Sequence, residues 1–285
     1  MIEKTSIRYI NNKPVRSRFD IDSSKWLMNA VDLIDALIET NNPRVYWATI
    51  KRRHPELIAE CKQLKMKAND SKLYNTDCLS EEGINLLVFI LPIKNKLLIQ
   101  EWVKGKNNPL DEQSKLKSYE LFDSGIISSI EIGTTKGLQQ IHSFIFGGLF
   151  PFAGIIRNKN ISKDGFIFAN QEFLLDILKE IDNMSENTLD DIINKYVEMN
   201  IAHPFMEGNG RATRIWLDLM LKKNLSLCVD WSKISKDDYL NAMKISPNSI
   251  DKIKSLIKNA LTNDINNREL FMKGIDYSYY YEEIE

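Results

Sequence analysis

Long apolar runs are missing from this sequence of 285 residues. No stretch approaches the roughly 18 consecutive apolar residues that a membrane-spanning helix needs, and the polar residues 1–13 do not resemble a signal peptide. Cysteine is scarce as well. Cys61, Cys78 and Cys228 are odd in number and form no Cys-x-x-Cys pair, which argues against a disulfide framework and against a zinc site. We therefore expect a cytoplasmic protein with buried thiols and no membrane contact.

Composition is otherwise that of an ordinary globular chain, with 43% hydrophobic and 27% charged residues. The length exceeds the roughly 100–200 residues usual for one domain, so two domains are expected. Net charge is −1, but residues 1–109 hold 18 Lys and Arg against 13 Asp and Glu, whereas the remainder holds 20 against 26. This asymmetry favours an anionic partner for the front portion.

Polar chemistry is concentrated between His203 and Arg214, in the sequence HPFMEGNGRATR. Apolar residues at helical spacing precede His203, and Pro204 predicts that the helix ends there, because proline disfavours the α conformation of the residue before it. The glycines that follow leave room for a ligand to approach the backbone, so that N–H groups of the loop and of the next helix can point at an anion. The stretch therefore predicts a phosphate site.

Two arginines and a carboxylate fit that interpretation. Arg211 and Arg214 are three residues apart on the predicted second helix and would share one surface. Glu207 is a hard oxygen ligand beside the phosphate loop, where Mg²⁺ commonly binds one or two carboxylates together with substrate oxygens.

These residues resemble the signature of the Fic family, which is His-Pro-Phe, two variable residues, Gly-Asn-Gly-Arg, two more, and Arg. Every position is filled here. The resemblance implies a mainly helical enzyme that moves AMP from ATP to a protein hydroxyl, with ATP and Mg²⁺ as co-substrate and cofactor. It implies that His203 is the base, that Glu207 binds Mg²⁺ and that Phe205 is a core residue. The implied phosphate-binding residues are Gly208, Asn209, Gly210, Arg211 and Arg214.

A hairpin is predicted upstream, where Asp164-Gly165 lies between alternating apolar residues. It resembles the Fic flap, which holds the modifiable segment of the target as an added strand. The resemblance implies that Ile161 and Lys163 face the target. A purely structural hairpin is the alternative.

The C-terminal stretch, DYSYYYEE, predicts a short aromatic helix capped by Asp276 or Ser278. It resembles the Fic inhibitory motif, Ser or Thr, three residues, Glu, then Gly or Asn. The motif maps onto Ser278 and Glu282, although Glu283 departs from its last position. The resemblance implies that Glu282 pairs with Arg214 and keeps the ATP γ-phosphate from its productive place. A tail that only packs, or that forms oligomer contacts, is the alternative.

The first hundred residues begin with a predicted hairpin and a helix capped by Ser23 or Ser24. The span of residues 7–104 resembles the BRO domain of viral antirepressors. The residues that carry this resemblance are Tyr46-Trp47, Lys51 to Arg53, Leu64-Lys65-Met66, Thr76-Asp77, Glu82-Gly83 and Trp102. BRO domains are associated with DNA binding, and basic residues interleaved with aromatics suit phosphate and base contacts. A protein-contact role remains the alternative partner assignment.

The expected fold is therefore a mainly α protein, a Fic helical bundle with a β-hairpin flap, preceded by a smaller α+β domain. The expected boundaries are 1–105 for the BRO-like domain, 106–125 for a linker and short helix, and 126–285 for the Fic domain, with its inhibitory helix at about 275–285. The expected function is protein adenylyltransfer, with another phosphate-containing transfer, AMP removal, a toxin role or a DNA-binding regulator as alternatives. The target protein and any homo-oligomer are left open.

Overall fold

The computed structural model describes residues 5–282, apart from residues 12, 24, 69–71, 94–95, 97–98, 100–108 and 164. The chain divides into two units, Met1–Pro109 and Leu110–Glu285. Several residues used in the sequence analysis lie outside the described part, among them Trp102, most of the Lys104–Glu112 stretch, Asp164 and Glu283.

An antiparallel five-stranded sheet forms the first unit, with strand order β1-β2-β3-β5-β4. Helices cover one face of it, because Val15, Met28 and Leu79 of the strands share a buried cluster with Leu33 and Leu87 of the helices. The elements are β1 (Thr5–Ile10), β2 (Lys13–Asp20), β3 (Lys25–Asn29), α1 (Ala30–Leu37), α2 (Pro43–Arg53), α3 (Glu56–Ala59), β4 (Cys61–Lys67), β5 (Leu73–Leu79) and α4 (Glu81–Ile90). The expected hairpin is confirmed as β1 and β2.

The first helix begins later than the predicted cap at Ser23 or Ser24. Residues 25–29 instead form a strand paired with β2, in which Trp26 packs edge-on against Phe19 with ring centroids 5.6 Å apart. Asn29 then caps α1, because its side-chain oxygen accepts hydrogen bonds from the backbone N–H groups of Val31 and Asp32. The prediction of a helix at Trp26 was therefore wrong.

Two of the basic and aromatic residues of α2, Trp47 and Lys51, bind a carboxylate within the unit. Trp47 is 3% exposed, and its indole N–H donates to the Asp77 carboxylate at 2.8 Å. Lys51 donates to the same carboxylate at 2.5 Å, whereas Arg52 and Arg53 are exposed. Trp47 is therefore not placed to stack on a base, and the BRO resemblance and DNA binding stay predictions.

The second unit is a helical bundle, as expected, and its centre is α9. This helix contacts α6, α8 and α12, and its residues Ala212, Trp216 and Leu217 are fully buried. The elements are α5 (Pro109–Asp123), α6 (Thr135–Phe146), β6 (Ser162–Lys163), β7 (Phe166–Ile167), α7 (Leu174–Asp182), α8 (Leu189–Ala202), α9 (Asn209–Leu225), β8 (Cys228–Val229), α10 (Lys236–Ile245), α11 (Asp251–Ala260), β9 (Leu261–Thr262) and α12 (Arg268–Tyr280).

The expected hairpin before the bundle core is confirmed as β6 and β7, which pair antiparallel with Lys163 opposite Phe166. Gly165 lies in the turn with φ +80°, a backbone conformation that side-chain-bearing residues rarely adopt.

Two helices of this unit are longer than the sequence pattern suggested. Helix α5 begins at Pro109 and carries Asp111 and Glu112 in its first turn, an arrangement that suits a helix N-terminus. Helix α12 begins at Arg268, because Asn267 caps it through the N–H groups of Glu269 and Leu270. Asp276 and Ser278 are therefore interior residues of α12 and do not cap it.

Neither unit offers a membrane segment, since no helix of the described residues has both the length and the apolar character needed to cross a bilayer. Cys61, Cys78 and Cys228 are free thiols. Burial raises the pKa of Cys61 to about 11 and that of Cys78 to about 12, so these thiols stay protonated at neutral pH.

Truncating the core of α9 tests its central position. Leu217 is fully buried, whereas Leu240 on α10 is 40% exposed. We expect Leu217→Ala to lower the free energy of unfolding by about 2–5 kcal/mol, because the buried leucine leaves a cavity. The matched substitution Leu240→Ala should cost less than about 1 kcal/mol. Urea unfolding followed by far-UV circular dichroism measures both, and equal losses would place Leu217 outside the core.

Candidate active site

His203 is held at the C-terminal end of α8 in a left-handed conformation, with φ 49° and ψ 64°. Thr188 and Asp191 form a capping box at the start of this helix, and His203 ends it, as Pro204 predicts. Positive φ is uncommon for a residue other than glycine, so the surrounding structure must hold this backbone in place.

The His203 ring has a defined tautomer. Its Nδ1 lies 3.1 Å from the backbone carbonyl of Asn200, which only accepts, so Nδ1–H donates and the lone pair resides on Nε2. The ring stacks on Phe168 of the flap region, with centroids 3.7 Å apart and planes 17° apart. Burial lowers the pKa of His203 to about 4, even though the Asn200 hydrogen bond acts in the opposite direction. The neutral ring can therefore accept a proton at neutral pH.

The loop after His203 is closed by Asn209 and kept compact by its glycines. The Asn209 side chain accepts from the N–H of Phe205 and donates to its carbonyl, both at 2.8 Å. Gly208 has φ +77°, and a Cβ there would lie 2.3 Å from the Phe146 ring. A Cβ on Gly210 would lie 2.3 Å from a Glu282 carboxylate oxygen. Only glycine allows these approaches.

Arg211 is 4% exposed and carries two carboxylate partners. It pairs with Asp111 of α5 and, at 2.8 Å, with Glu207. Its guanidinium lies between the rings of Phe146 and Tyr279, with its carbon 5.0 and 5.3 Å from their centroids. Its Nε is buried and has no hydrogen-bond partner among the described residues. The first turn of α9 thus carries one buried donor whose hydrogen-bonding capacity the described residues do not satisfy.

Arg214 is 2% exposed and is bound by the tail. Its Nη2 lies 2.7 Å from Glu282, and Nη2 and Nε donate to the carbonyl and hydroxyl of Ser278 at 2.8 and 2.7 Å. Its Nη1 donates to the Tyr239 hydroxyl at 3.0 Å, and the rings of Tyr239 and Tyr281 lie against the guanidinium. Burial would raise the pKa of Glu282, but the charge and hydrogen bond of Arg214 outweigh it and lower that pKa to about 2.

The flap contacts the tail as well. The Lys163 ammonium lies 3.7 Å from the second carboxylate oxygen of Glu282, and its side chain is 61% exposed. Ile161 is partly buried. The structure therefore brings Lys163, Glu282 and Arg214 together, although Lys163 and Glu282 are more than a hundred residues apart in sequence.

Glu207 is the carboxylate of the signature loop. Its side chain is 58% exposed, and one oxygen accepts from Arg211 and from the N–H of Gly208. No group of three or more His, Cys, Asp or Glu that could hold a metal occurs in the described part of the chain. A metal bound by Glu207 would therefore need further ligands from a substrate.

Three residues that sequence reasoning did not select lie against this site. His142 is fully buried, and it donates from Nε2 to the Glu207 carbonyl and accepts at Nδ1 from the N–H of Gly154, both at 2.9 Å. Its place on the apolar face of α6 was the available signal, because a buried imidazole needs partners for both nitrogens. Asp111 and Arg157 are the other two residues. Neither belongs to a periodic apolar pattern in the sequence that could have indicated its place.

Comparison with known proteins agrees with the signature. Residues 133–221 match the family model described as the Fic/DOC family. The protein adenylyltransferase VbhT of Bartonella schoenbuchensis is 26% identical over 176 residues, which cover 56% of this chain and 36% of that protein. The chain thus aligns with about a third of the length of this relative.

Solved structures of Bartonella effector proteins are also similar. BepC of Bartonella tribocorum with bound AMPPNP is 20% identical, with a TM-score of 0.46, and the match covers 60% of this chain and 92% of that one. The N-terminal Fic domain of a Bep protein from Bartonella sp. AR 15-3 is 19% identical, with a TM-score of 0.48 and coverage of 62% and 92%.

The buried environment of His203 predicts its titration. We expect the ring resonances of His203 to titrate near pH 4 in an NMR experiment, because burial disfavours the charged imidazolium. The pKa in the folded state lies below the value of about 6.5 in the unfolded chain. The stability that the neutral ring contributes is therefore complete above about pH 6.5 and is lost as pH falls through about 4. Assignment uses His203→Gln, and a midpoint near 6.5 would contradict the burial.

Proposed function

We propose, from the match of residues 133–221 to the Fic/DOC family model, that the chain is a protein adenylyltransferase that moves AMP from ATP to a Ser, Thr or Tyr hydroxyl of a target protein. One observation carries the proposal: the lone pair of the His203 Nε2 is available beside a glycine loop whose helix bears two buried arginines. The 26% identical relative named protein adenylyltransferase supports the same reaction.

His203 acts as the general base in this reaction. The target hydroxyl transfers its proton to Nε2 while its oxygen forms a bond to the α-phosphorus, and the bond from that phosphorus to pyrophosphate breaks. The Asn200 carbonyl keeps the proton on Nδ1 and so keeps Nε2 available. A ring with a pKa near 4 is neutral before the reaction begins.

The phosphates are bound by the loop, the start of α9 and the two arginines. The unpartnered Nε of Arg211 fits a phosphate oxygen, and Gly208 and Gly210 leave no side chain in the way. The N-terminus of α9 adds backbone N–H groups and the positive end of the helix dipole. Each arginine is bound to a carboxylate, Asp111 on Arg211 and Glu282 on Arg214, and a phosphate would replace these anions.

Glu207 fits Mg²⁺ as the single protein carboxylate of such a site. It is exposed, it stands on the loop before α9, and Mg²⁺ is commonly held by one or two carboxylates together with nucleotide oxygens. Bound there, the ion would neutralise charge that develops on the phosphates.

The flap is the proposed docking site for the target. Among the described residues, the two-residue strand β6 pairs with β7 alone, so an extended segment could pair with its other edge. Ile161 precedes this strand and Lys163 lies in it. Main-chain pairing would hold the segment near His203 without demanding one sequence.

The tail is the proposed inhibitor, and it acts from within the same chain. Glu282 and Ser278 occupy the donors of Arg214, and α5 fixes the helix that carries Ser278. Lys115 of α5 pairs with Asp276 at 2.6 Å, and Tyr279 exchanges a hydrogen bond with Ser114 at 2.8 Å. The inhibited state is therefore a docked helix and not a free tail.

Removing the imidazole should stop transfer without stopping nucleotide binding. We expect His203→Ala to lower AMP transfer by about 10²- to 10⁴-fold, the usual contribution of a positioned base. Mass spectrometry of the chain after incubation with Mg²⁺ and labelled ATP measures transfer, and calorimetry measures nucleotide binding. His54→Ala, in the first unit, is the control. Transfer at the wild-type rate by His203→Ala would remove the imidazole from the mechanism.

Releasing Arg214 should activate the enzyme. We expect Glu282→Ala to raise self-modification by about 10- to 100-fold, because a buried hydrogen bond between charged groups is worth about 1.5–3 kcal/mol. Glu269→Ala, which replaces an exposed glutamate in the first turn of α12, should leave the rate unchanged.

The pH dependence tests the same contact. The folded-state pKa of Glu282 lies below its unfolded value of about 4.5, so the stabilisation by the Arg214–Glu282 pair is complete above that pH and is lost only as pH falls through about 2. Wild-type protein should therefore stay inhibited at pH 5.

Equal rates for the Glu282→Ala chain and the wild type, with the fold intact, would leave the tail merely structural.

A further inference from the structure

Arg157 lies between the Gly154 turn and the flap and is 4% exposed. Within the described residues it forms no ion pair, and the hydrogen bonds of its guanidinium go to backbone carbonyls. A buried charge without a counter-ion is costly, so a residue that only stabilised the fold would more readily be apolar. Instead, the planar guanidinium of Arg157 donates to several backbone carbonyls at once.

Arg157 donates to three consecutive backbone carbonyls around the base, to two from its guanidinium and to one from its backbone N–H. Nη2 donates to the Ala202 carbonyl at 3.0 Å, and Nε donates to the His203 carbonyl at 2.8 Å. The backbone N–H of Arg157 donates to the Pro204 carbonyl at 2.8 Å. The first two carbonyls flank the His203 Cα, so their positions fix its φ and ψ. Arg157 thus holds the uncommon backbone conformation that aims the imidazole.

The same guanidinium also holds both ends of the flap hairpin. Nη1 donates to the Lys159 carbonyl before β6 at 2.6 Å, and Nη2 donates to the Ala169 carbonyl after β7 at 2.5 Å. Phe168, next to Ala169, is the ring that stacks on His203. The two ends of the flap and the base are therefore joined through one side chain.

We propose that Arg157 is a positioning residue for adenylyl transfer, which sets the imidazole and the target-binding flap in register with each other. The role of Arg157 in AMP transfer rests on the proposed function, but its effect on the surroundings of His203 does not. A guanidinium is suited to this role because its planar fork offers five donors in fixed directions, whereas an ammonium is a compact point charge on a flexible stem.

Arg157→Lys is the informative substitution, because it keeps the charge and removes the fork. The charges that act on His203 are those of Glu282, Lys163 and Arg157. In a Glu282→Ala background the first is absent in parent and variant alike, and the other two are kept. A change in the His203 titration then reports on geometry and burial.

We expect two results for Arg157→Lys in that background. The kcat for AMP transfer falls by about 10²-fold, the effect of misplacing a reacting group by about 1 Å, while KM for ATP changes less than about threefold. The NMR titration midpoint of His203 rises above that of the parent, because the ring loses the cover of Phe168. Arg52→Lys, an exposed arginine of the first unit, is the matched control and should change neither.

A second variant covers the case in which Arg157→Lys does not fold. Phe168→Leu removes the stacked ring and leaves Arg157 in place, so the same rise in the His203 midpoint and a fall in kcat are expected. Ile167→Ala, at the 76% exposed neighbouring position, should leave the His203 midpoint unchanged.

The outcomes separate the two proposals. A folded Arg157→Lys chain with unchanged kcat and unchanged His203 midpoint would overturn the positioning role, as would an unchanged midpoint and kcat in Phe168→Leu. If the Glu282→Ala parent transferred no AMP, the proposed function would fail, and the His203 midpoint would still decide whether Arg157 positions the ring.

Discussion

The buried charge of Arg214 is the constraint on which the rest of the helical unit depends. At 2% exposure its charge needs compensation, because burying a guanidinium costs several kcal/mol unless it is paired and hydrogen-bonded. Tyr239 and Tyr281 wall it in, and Ser278 and Glu282 complete its donors. In the observed structure Glu282 is the anion at this guanidinium, and in the proposed function a nucleotide phosphate would take its place.

Arg211 is likewise a buried guanidinium paired with carboxylates, but its partners are different. Its carboxylates come from the signature loop and from α5, and its neighbour Arg214 takes its carboxylate from the residues after α12. Helices from the two ends of this unit thus meet at one turn of α9. They also hold each other, since Lys115 and Tyr119 of α5 both bind Asp276. Helices α5 and α12 therefore form one assembly around Arg211 and Arg214.

The sequence predicts those parts of the structure in which a residue type itself restricts or frees the backbone. Pro204 predicts the helix end at His203, and the glycines predict a loop that opens a helix. The first helix and the start of α12 were misplaced, because Asn29 and Asn267 supply caps that compete with the nearby serines and Asp276.

Other contacts could not be predicted at all. Asp111 pairs with Arg211, which is 100 residues away in sequence, and Arg157 donates to the carbonyls of Ala202 and His203, which are 45 and 46 residues away. Backbone carbonyls leave no mark in a pattern of side chains, so only the folded chain reveals these roles.

Gly210 carries a consequence beyond loop geometry. A Cβ there would collide with the Glu282 carboxylate at 2.3 Å and approach the Arg214 guanidinium at 3.0 Å. The missing side chain therefore makes room for the Glu282 carboxylate beside the Arg214 guanidinium. A larger residue at position 210 would have to displace one member of an ion pair whose other member is buried, so a change at the start of α9 would disturb the residues after α12.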